Sequence, residues 1–343
     1  MRAKIIRKED IAGLLESLMG EYEMFAPVKS DGLVLFERIS SASEVFLDYQ
    51  NSLMPPKQLT FPQAETLFSY SSAKGEVKIE VPHREEKPQL IFGIRPCDAS
   101  SFVVLDRVFD GEQYKDPYYL QRREKTITVS MGCVKPRITC FCTSVGGGPF
   151  STEGSDLLLI DIGDRYVAQI VSDKGAQLLE KRGFRDATEG ELALAAAVIE
   201  AAVASMGPGV ETDGLKDKLD SRFDDSIWQR LSEKCLGCGV CTFLCPTCHC
   251  FDIVDEAVDS KGERIRIWDS CQFPLFTLQA SGLNPRPTVK ERFRQRMMHK
   301  FSYFVDNYSR VGCVGCGRCI TECPVNLDLR QVLNSVSRLE GVK

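Results

Sequence analysis

Histidine is nearly missing from this chain, with 3 residues in 343. A large metal inventory resting on imidazole is therefore excluded. Positive charge is not in excess either: 43 Lys+Arg stand against 48 Asp+Glu, a net charge of −5, which argues against a dedicated nucleic-acid binder. No apolar run approaches the roughly 18 residues needed to span a bilayer; Leu192–Ile199 and Ala201–Val210 are separated by Glu200. The opening Met1-Arg2-Ala3-Lys4 is basic, but Arg7, Lys8, Glu9 and Asp10 follow before any long apolar core, so no signal peptide is read there and the expected compartment is the cytoplasm. No G-x-G-x-x-G follows a strand, and no Walker loop, H-E-x-x-H or G-x-S-x-G occurs, so dinucleotide, nucleotide and common hydrolase chemistry lack their usual anchors.

Cysteine is what the chain has in plenty. There are 15, an odd number. In a reducing compartment thiols stay free, which makes metal ligation a stronger reading than disulfides. Thiolate-rich sites select iron–sulfur clusters or zinc. One pattern decides between them. Cys235-x2-Cys238-x2-Cys241-x3-Cys245-Pro246 recurs, ungapped, as Cys313-x2-Cys316-x2-Cys319-x3-Cys323-Pro324. This is the run of a two-[4Fe–4S] ferredoxin, whose fourth cysteine ligates the other cluster. Cys235, Cys238, Cys241 and Cys323 are assigned to one cluster, and Cys313, Cys316, Cys319 and Cys245 to the second. Zinc sites pair C-x2-C units over a longer gap, so zinc is the weaker alternative.

Four further cysteines lie in the first half. Cys97 follows the expected strand Leu90–Ile94 and Cys133 follows Thr126–Ser130, both at strand carboxyl ends. Cys140 and Cys142 come soon after. These four are candidates for a third [4Fe–4S] cluster; the alternative is a set of buried free thiols. Cys248, Cys250 and Cys271 remain, either as ligands of an extra metal with His249 or as packing that tunes a neighbouring cluster.

The expected architecture is α+β. A mixed α/β N-terminal domain, residues 1–215, is followed by an α-helical ferredoxin domain, 216–343. Helices are expected over 9–22, 98–108, 174–181 and 189–206. Strands are expected over 33–39, 77–81, 90–94, 126–130, 157–162 and 166–171. Gly207-Pro208-Gly209 ends the last of these helices. The residues between Cys245 and Cys313 are expected to be helical. Thr288-x-x-Glu291 is a capping box, and Val289, Phe293, Met297, Phe301, Phe304 and Tyr308 form a core stripe behind it. The accompanying Arg286, Lys290, Arg292, Arg294, Arg296 and Lys300 read as the solvated face of that helix, or as a docking surface for an acidic redox partner.

Several motifs resemble one family. They are Pro56-Lys57…Phe61-Pro62-x2-Glu65-x-Leu67-Phe68, Gly93-Ile94-Arg95-Pro96-Cys97-Asp98, Tyr118-Tyr119-x3-Arg123, Cys140-Phe141-Cys142-Thr143-Ser144, Cys245-Pro246-Thr247-Cys248-x-Cys250-Phe251-Asp252 and Trp268-Asp269-Ser270-Cys271. The family contains the β subunit of cytoplasmic sulfhydrogenases, which are NiFe hydrogenases, and the corresponding electron-carrying subunit of anaerobic sulfite reductase. A related subunit is found beside heterodisulfide reductase. The resemblance implies an electron carrier between a flavin- and NAD(P)-binding partner and a catalytic subunit of hydrogenase, sulfite reductase or heterodisulfide reductase type. Two other functions compete with it: an enzyme binding its own substrate at an N-terminal cluster, and a module that metal merely folds. The Arg95–Asp98 neighbourhood is the candidate substrate site, with a purely structural ion pair as its alternative.

Overall fold

The computed structural model describes residues 2–73, 75–82, 87–180 and 182–338. His83 and the last residue of the helix expected over 174–181 lie outside them.

The first half is built on a seven-stranded mixed sheet in the order β1-β9-β8-β7-β6-β2-β3. Its strands are β1 (Ala3–Arg7), β2 (Glu23–Ser30), β3 (Leu33–Arg38), β6 (Gln89–Ile94), β7 (Thr126–Met131), β8 (Leu157–Asp161) and β9 (Arg165–Ile170). The neighbours β2/β6, β6/β7 and β7/β8 are parallel. β6 and β7 are buried at every position, which is why they read as unbroken apolar or small-polar runs. Leu90, Phe92, Val129, Leu157 and Leu159 face one side, against Leu14, Leu15 and Leu18 of α1 (Asp10–Met19) and Leu178 and Leu179 of the helix Asp173–Glu180. Ile91 and Ile94 face the other side and meet Ala99 and Phe102 of α2 (Pro96–Phe109). Leu158, Ile160 and Val167 there meet Ala195 and Ala202 of the helix Glu189–Ala204. The carboxyl ends of β6 and β7 deliver Cys97 and Cys133, as expected. The short helix α3 (Pro117–Glu124) was not anticipated; Asp116 caps it by accepting from the Tyr119 N–H.

The expectation of helix between Cys245 and Cys313 is corrected over its first part. Residues Phe251–Val258 and Lys261–Trp268 are strands β10 and β11 of a hairpin closed around Asp259 and Ser260. The period-two alternation Arg264-Ile265-Arg266-Ile267 is a strand signal. The hairpin joins β4 (Ala64–Ala73) and β5 (Glu76–Glu80) in a second sheet, β10-β11-β4-β5. Strands from before and after residue 215 thus share one sheet. Buried Glu65 on β4 fastens it, bridging Arg122 of α3 and Arg266 of β11, while Arg266 also reaches Asp116.

The rest of the second half is helical. Trp228, Phe293, Met297, Phe301, Leu333 and Val336 form its core. The capping box at Thr288 and Glu291 is present, and α-helix Val289–Met298 runs into a π-helical turn, His299–Tyr303, before α-helix resumes over Phe304–Tyr308. Phe293, Met297, Phe301 and Phe304 are buried, as the stripe requires. No described helix is long and apolar enough to cross a membrane.

Candidate metal centre

The two cysteine loops have the same backbone. Gly237 and Gly239 take φ of 64° and 78°; Gly315 and Gly317 take 63° and 75°. That left-handed geometry curls each loop so that its amides point at its own sulfur. Gly237 N–H donates to Cys235 Sγ at 3.5 Å, and Gly315 N–H to Cys313 Sγ at 3.4 Å. Leu327 N–H donates to Cys323 Sγ at 3.3 Å. The thiols ring two cavities. Cys235, Cys238, Cys241, Cys319 and Cys323 line one. Cys245, Cys313, Cys316 and Cys319 line the other. In each cavity, three cysteines of one loop meet the last cysteine of the other, and Cys319 lines both.

Among the described residues, no three His, Cys, Asp or Glu side chains converge on a single ion. One tetrahedral zinc, with Zn–S near 2.3 Å, would draw its sulfurs together, whereas a cubane fills the space between them. Burial pushes the Cys241 thiol up to about 12 and Cys313 to about 11. Metal-free thiolates are thus disfavoured, and ionised sulfur there calls for a bound metal. Cys245 is the exception. Contact with the Cys248 thiol, and then the Lys300 ammonium, hold it well below the usual range against the opposing cost of burial.

The basic stretch of the long helix is not a solvated face, which corrects that expectation for three of its residues. Arg292, Arg296 and Lys300, spaced four apart, are all buried. Arg296 Nη2 donates to the Cys241 carbonyl at 3.4 Å, while its Nε has no partner among the described residues. Arg296 lines both thiol cavities. Lys300 Nζ lies 3.3 Å from Cys245 Sγ and donates to Thr247 Oγ1 at 2.9 Å and to the Gly312 carbonyl at 2.8 Å. Burial alone would lower the Lys300 ammonium; the negative charge that the Cys245, Cys248 and Cys313 sulfurs carry when ionised outweighs it and raises it. The anionic groups that raise Arg296 are likewise cysteines: 241, 319, 248 and 245. A buried cation needs a counter-charge. Here sulfur supplies it.

The N-terminal motifs close over the second loop. Asp98 forms a bidentate ion pair with Arg318, at 2.6 and 2.7 Å, and both are essentially inaccessible. Arg318 also donates to the Ser52 carbonyl at 2.8 Å, and Asn51 Nδ2 donates to the Cys316 carbonyl at 2.9 Å. Phe141 N–H donates to the Gly315 carbonyl at 2.8 Å. A Cβ on Gly317 would lie 2.7 Å from the Thr139 carbonyl oxygen, so this approach requires glycine. Arg95 does not pair with Asp98. It stacks on Tyr49 and donates to the Gly132 carbonyl at 3.1 Å.

A family model described as a 4Fe-4S dicluster domain matches residues 234–327. The chain is 34% identical over 316 residues to the sulfhydrogenase 2 subunit beta of Pyrococcus furiosus, covering 91% of this chain and 92% of that one. It belongs to the sulfhydrogenase β-subunit family. No solved structure matches it.

In this family member the four N-terminal thiols sit behind the second loop. Cys140 Sγ donates to the Cys316 carbonyl at 3.7 Å. Cys97 packs beside Cys316 and Val314. Burial raises Cys142 to about 12, with Cys133 and Cys140 adding to it, and raises Cys133 to about 11. Cys133 neighbours Cys97, Cys140 and Cys142, and it also faces a separate cleft with Tyr49, Arg95 and Lys135.

Cys248, Cys250 and Cys271 line a third cavity together with His249 and His299. Arg296 and Lys300 form part of its wall as well. Lys57 Nζ donates to the Cys248 carbonyl at 2.8 Å and lies 4.0 Å from the Trp268 ring centre, which places two of the family motifs around this cavity. The inward cations were missed from sequence. Their four-residue spacing puts them on one helix face, but which way that face turns is set by tertiary packing.

Proposed function

We propose that this subunit relays electrons through two [4Fe–4S] clusters, one held by Cys235, Cys238, Cys241 and Cys323, the other by Cys313, Cys316, Cys319 and Cys245. The observation that carries the reading is the pair of buried cations beside the thiols: Arg296 lines both cavities, and Lys300 Nζ lies 3.3 Å from Cys245 Sγ in the second. Such clusters, when bound, pass one electron at a time. Everything else is done by the chain. The loop amides bond to sulfur and favour its anionic state. Arg296 and Lys300 favour added negative charge and so raise the potential. Phe141, Thr139 and the Asp98–Arg318 pair hold the second loop rigidly against the α/β half.

Cys97, Cys133, Cys140 and Cys142 are proposed to hold a third cluster. Their place behind Cys316 supports an exit from the dicluster toward the α/β half. In the assembled complex the partners are a flavin- and NAD(P)-binding subunit on one side and a catalytic subunit of hydrogenase type on the other. The hydrogenase type is favoured over the sulfite and heterodisulfide types by the relative at 34% identity.

The test is anaerobic affinity purification of the tagged chain from its own cells. We expect a flavoprotein and a hydrogenase subunit to co-purify, with H2-dependent NAD(P) reduction that Cys316→Ser abolishes. A chain that purifies alone and turns over a substrate with an artificial donor would overturn the relay in favour of an enzyme in its own right.

A further inference from the structure

We propose that the third cavity holds a further iron–sulfur cluster, ligated by Cys248, Cys250 and Cys271 through sulfur and by His249 through nitrogen. The hairpin root builds the site. Phe251 pairs with Trp268, and Asp269 N–H donates to the Cys250 carbonyl at 3.0 Å. This clamps the two chain ends so that the Cys250 and Cys271 thiols come into contact. Cys248 lies two residues before Cys250, on the same wall.

His249 is oriented as a ligand is. Its Nδ1–H donates to the Thr247 carbonyl at 3.0 Å, which fixes the tautomer and leaves Nε2 with its lone pair free. Metal-bound histidines characteristically make this second bond to a carbonyl or carboxylate. The chain has 3 histidines, and His249 and His299 share this one cavity. Their rings lie 5.5 Å apart.

The charge of the wall selects the occupant. Arg286, Arg296 and Lys300 line the cavity and, among the described residues, no carboxylate does, so an anionic group is favoured. At about 360 Å3 the cavity exceeds tenfold the roughly 30 Å3 of a water molecule and accommodates a polyatomic centre. Soft thiolates with one imidazole suit iron–sulfur chemistry. The cavity shares Arg296 and Lys300 with that of Cys245, so the centre adjoins the second ferredoxin cluster and extends the relay toward the root of the β10-β11-β4-β5 sheet.

The site rests on the relay reading but fails separately from it. Full-length chain is prepared anaerobically with natural and with 15N-labelled histidine, reduced with dithionite and studied by pulsed EPR. We expect a strongly coupled nitrogen that changes with the label, vanishes in His249→Ala and persists in His299→Ala. Cys271→Ser should lose about four irons per chain while the ferredoxin signals stay. Should that variant fold poorly, the label-dependent coupling in the unsubstituted chain is sufficient. Two intact ferredoxin clusters with no histidine nitrogen coupling overturn this site alone, and coupling lost in His299→Ala instead overturns the ligand assignment. An iron-free native chain overturns both readings.

Discussion

Replacing Lys300 with methionine removes one buried positive charge and keeps the side chain's length. The ammonium lies 3.3 Å from Cys245 Sγ. Adding one metal–sulfur bond of about 2.3 Å puts it roughly 6 Å from the iron. At an effective dielectric of about 20, the Coulomb energy at that distance is about 3 kcal/mol. A one-electron couple moves about 59 mV per tenfold, or per about 1.4 kcal/mol, so the full charge is worth roughly 120 mV. Water entering the space left by the ammonium screens part of this, and a fall of about 60 to 120 mV is expected for the cluster held by Cys245. The ammonium's hydrogen bonds to the Gly312 carbonyl and Thr247 hydroxyl are lost too, but Thr247 still donates to that carbonyl at 2.8 Å, so the cost to stability is about 1 kcal/mol. EPR-monitored redox titration of both proteins measures the shift. Unchanged potentials in a variant that retains both clusters would refute the role given to the buried cations.

Three other outcomes follow from the geometry. Arg318→Leu strands the fully buried Asp98 carboxylate and should destabilise the chain by about 3–5 kcal/mol in denaturant titration; the double variant Asp98→Leu/Arg318→Leu should recover much of that loss. Gly317→Ala meets the Thr139 carbonyl at 2.7 Å in a left-handed backbone, so the α/β half should separate from the second loop, read as faster amide exchange at Phe141 and faster oxygen damage to the cluster. Glu65→Gln leaves Arg122 and Arg266 without their shared carboxylate and should lower the melting temperature by several degrees without changing iron content.

What local chemistry dictates was legible in the sequence. The cysteine spacing is itself a ligand geometry, so the assignment of Cys245 and Cys323 to opposite clusters is drawn from the sequence alone. The parallel core strands were legible because burial on both faces leaves them apolar, and the stripe from Phe293 to Phe304 because one helix face repeats. The hairpin over 251–268 was overlooked because its alternation is weak on β10, where seven of eight residues are exposed, and because its partner β4 is nearly two hundred residues away. The inward turn of Arg292, Arg296 and Lys300 was illegible for another reason. Buried charge looks like surface charge until the sulfurs that compensate it are seen beside it. The π-helical turn at His299–Tyr303 changes the register of the very residues that reach the cavities, and no propensity signals it.

The most direct test is the iron and labile-sulfide content of the anaerobically purified native chain, read together with the EPR of its reduced form. A two-cluster relay predicts at least about eight irons and matching sulfide, with the signals of two [4Fe–4S]+ clusters broadened by each other's spin. A colourless chain, or one filled with zinc from iron-replete cells, would contradict it.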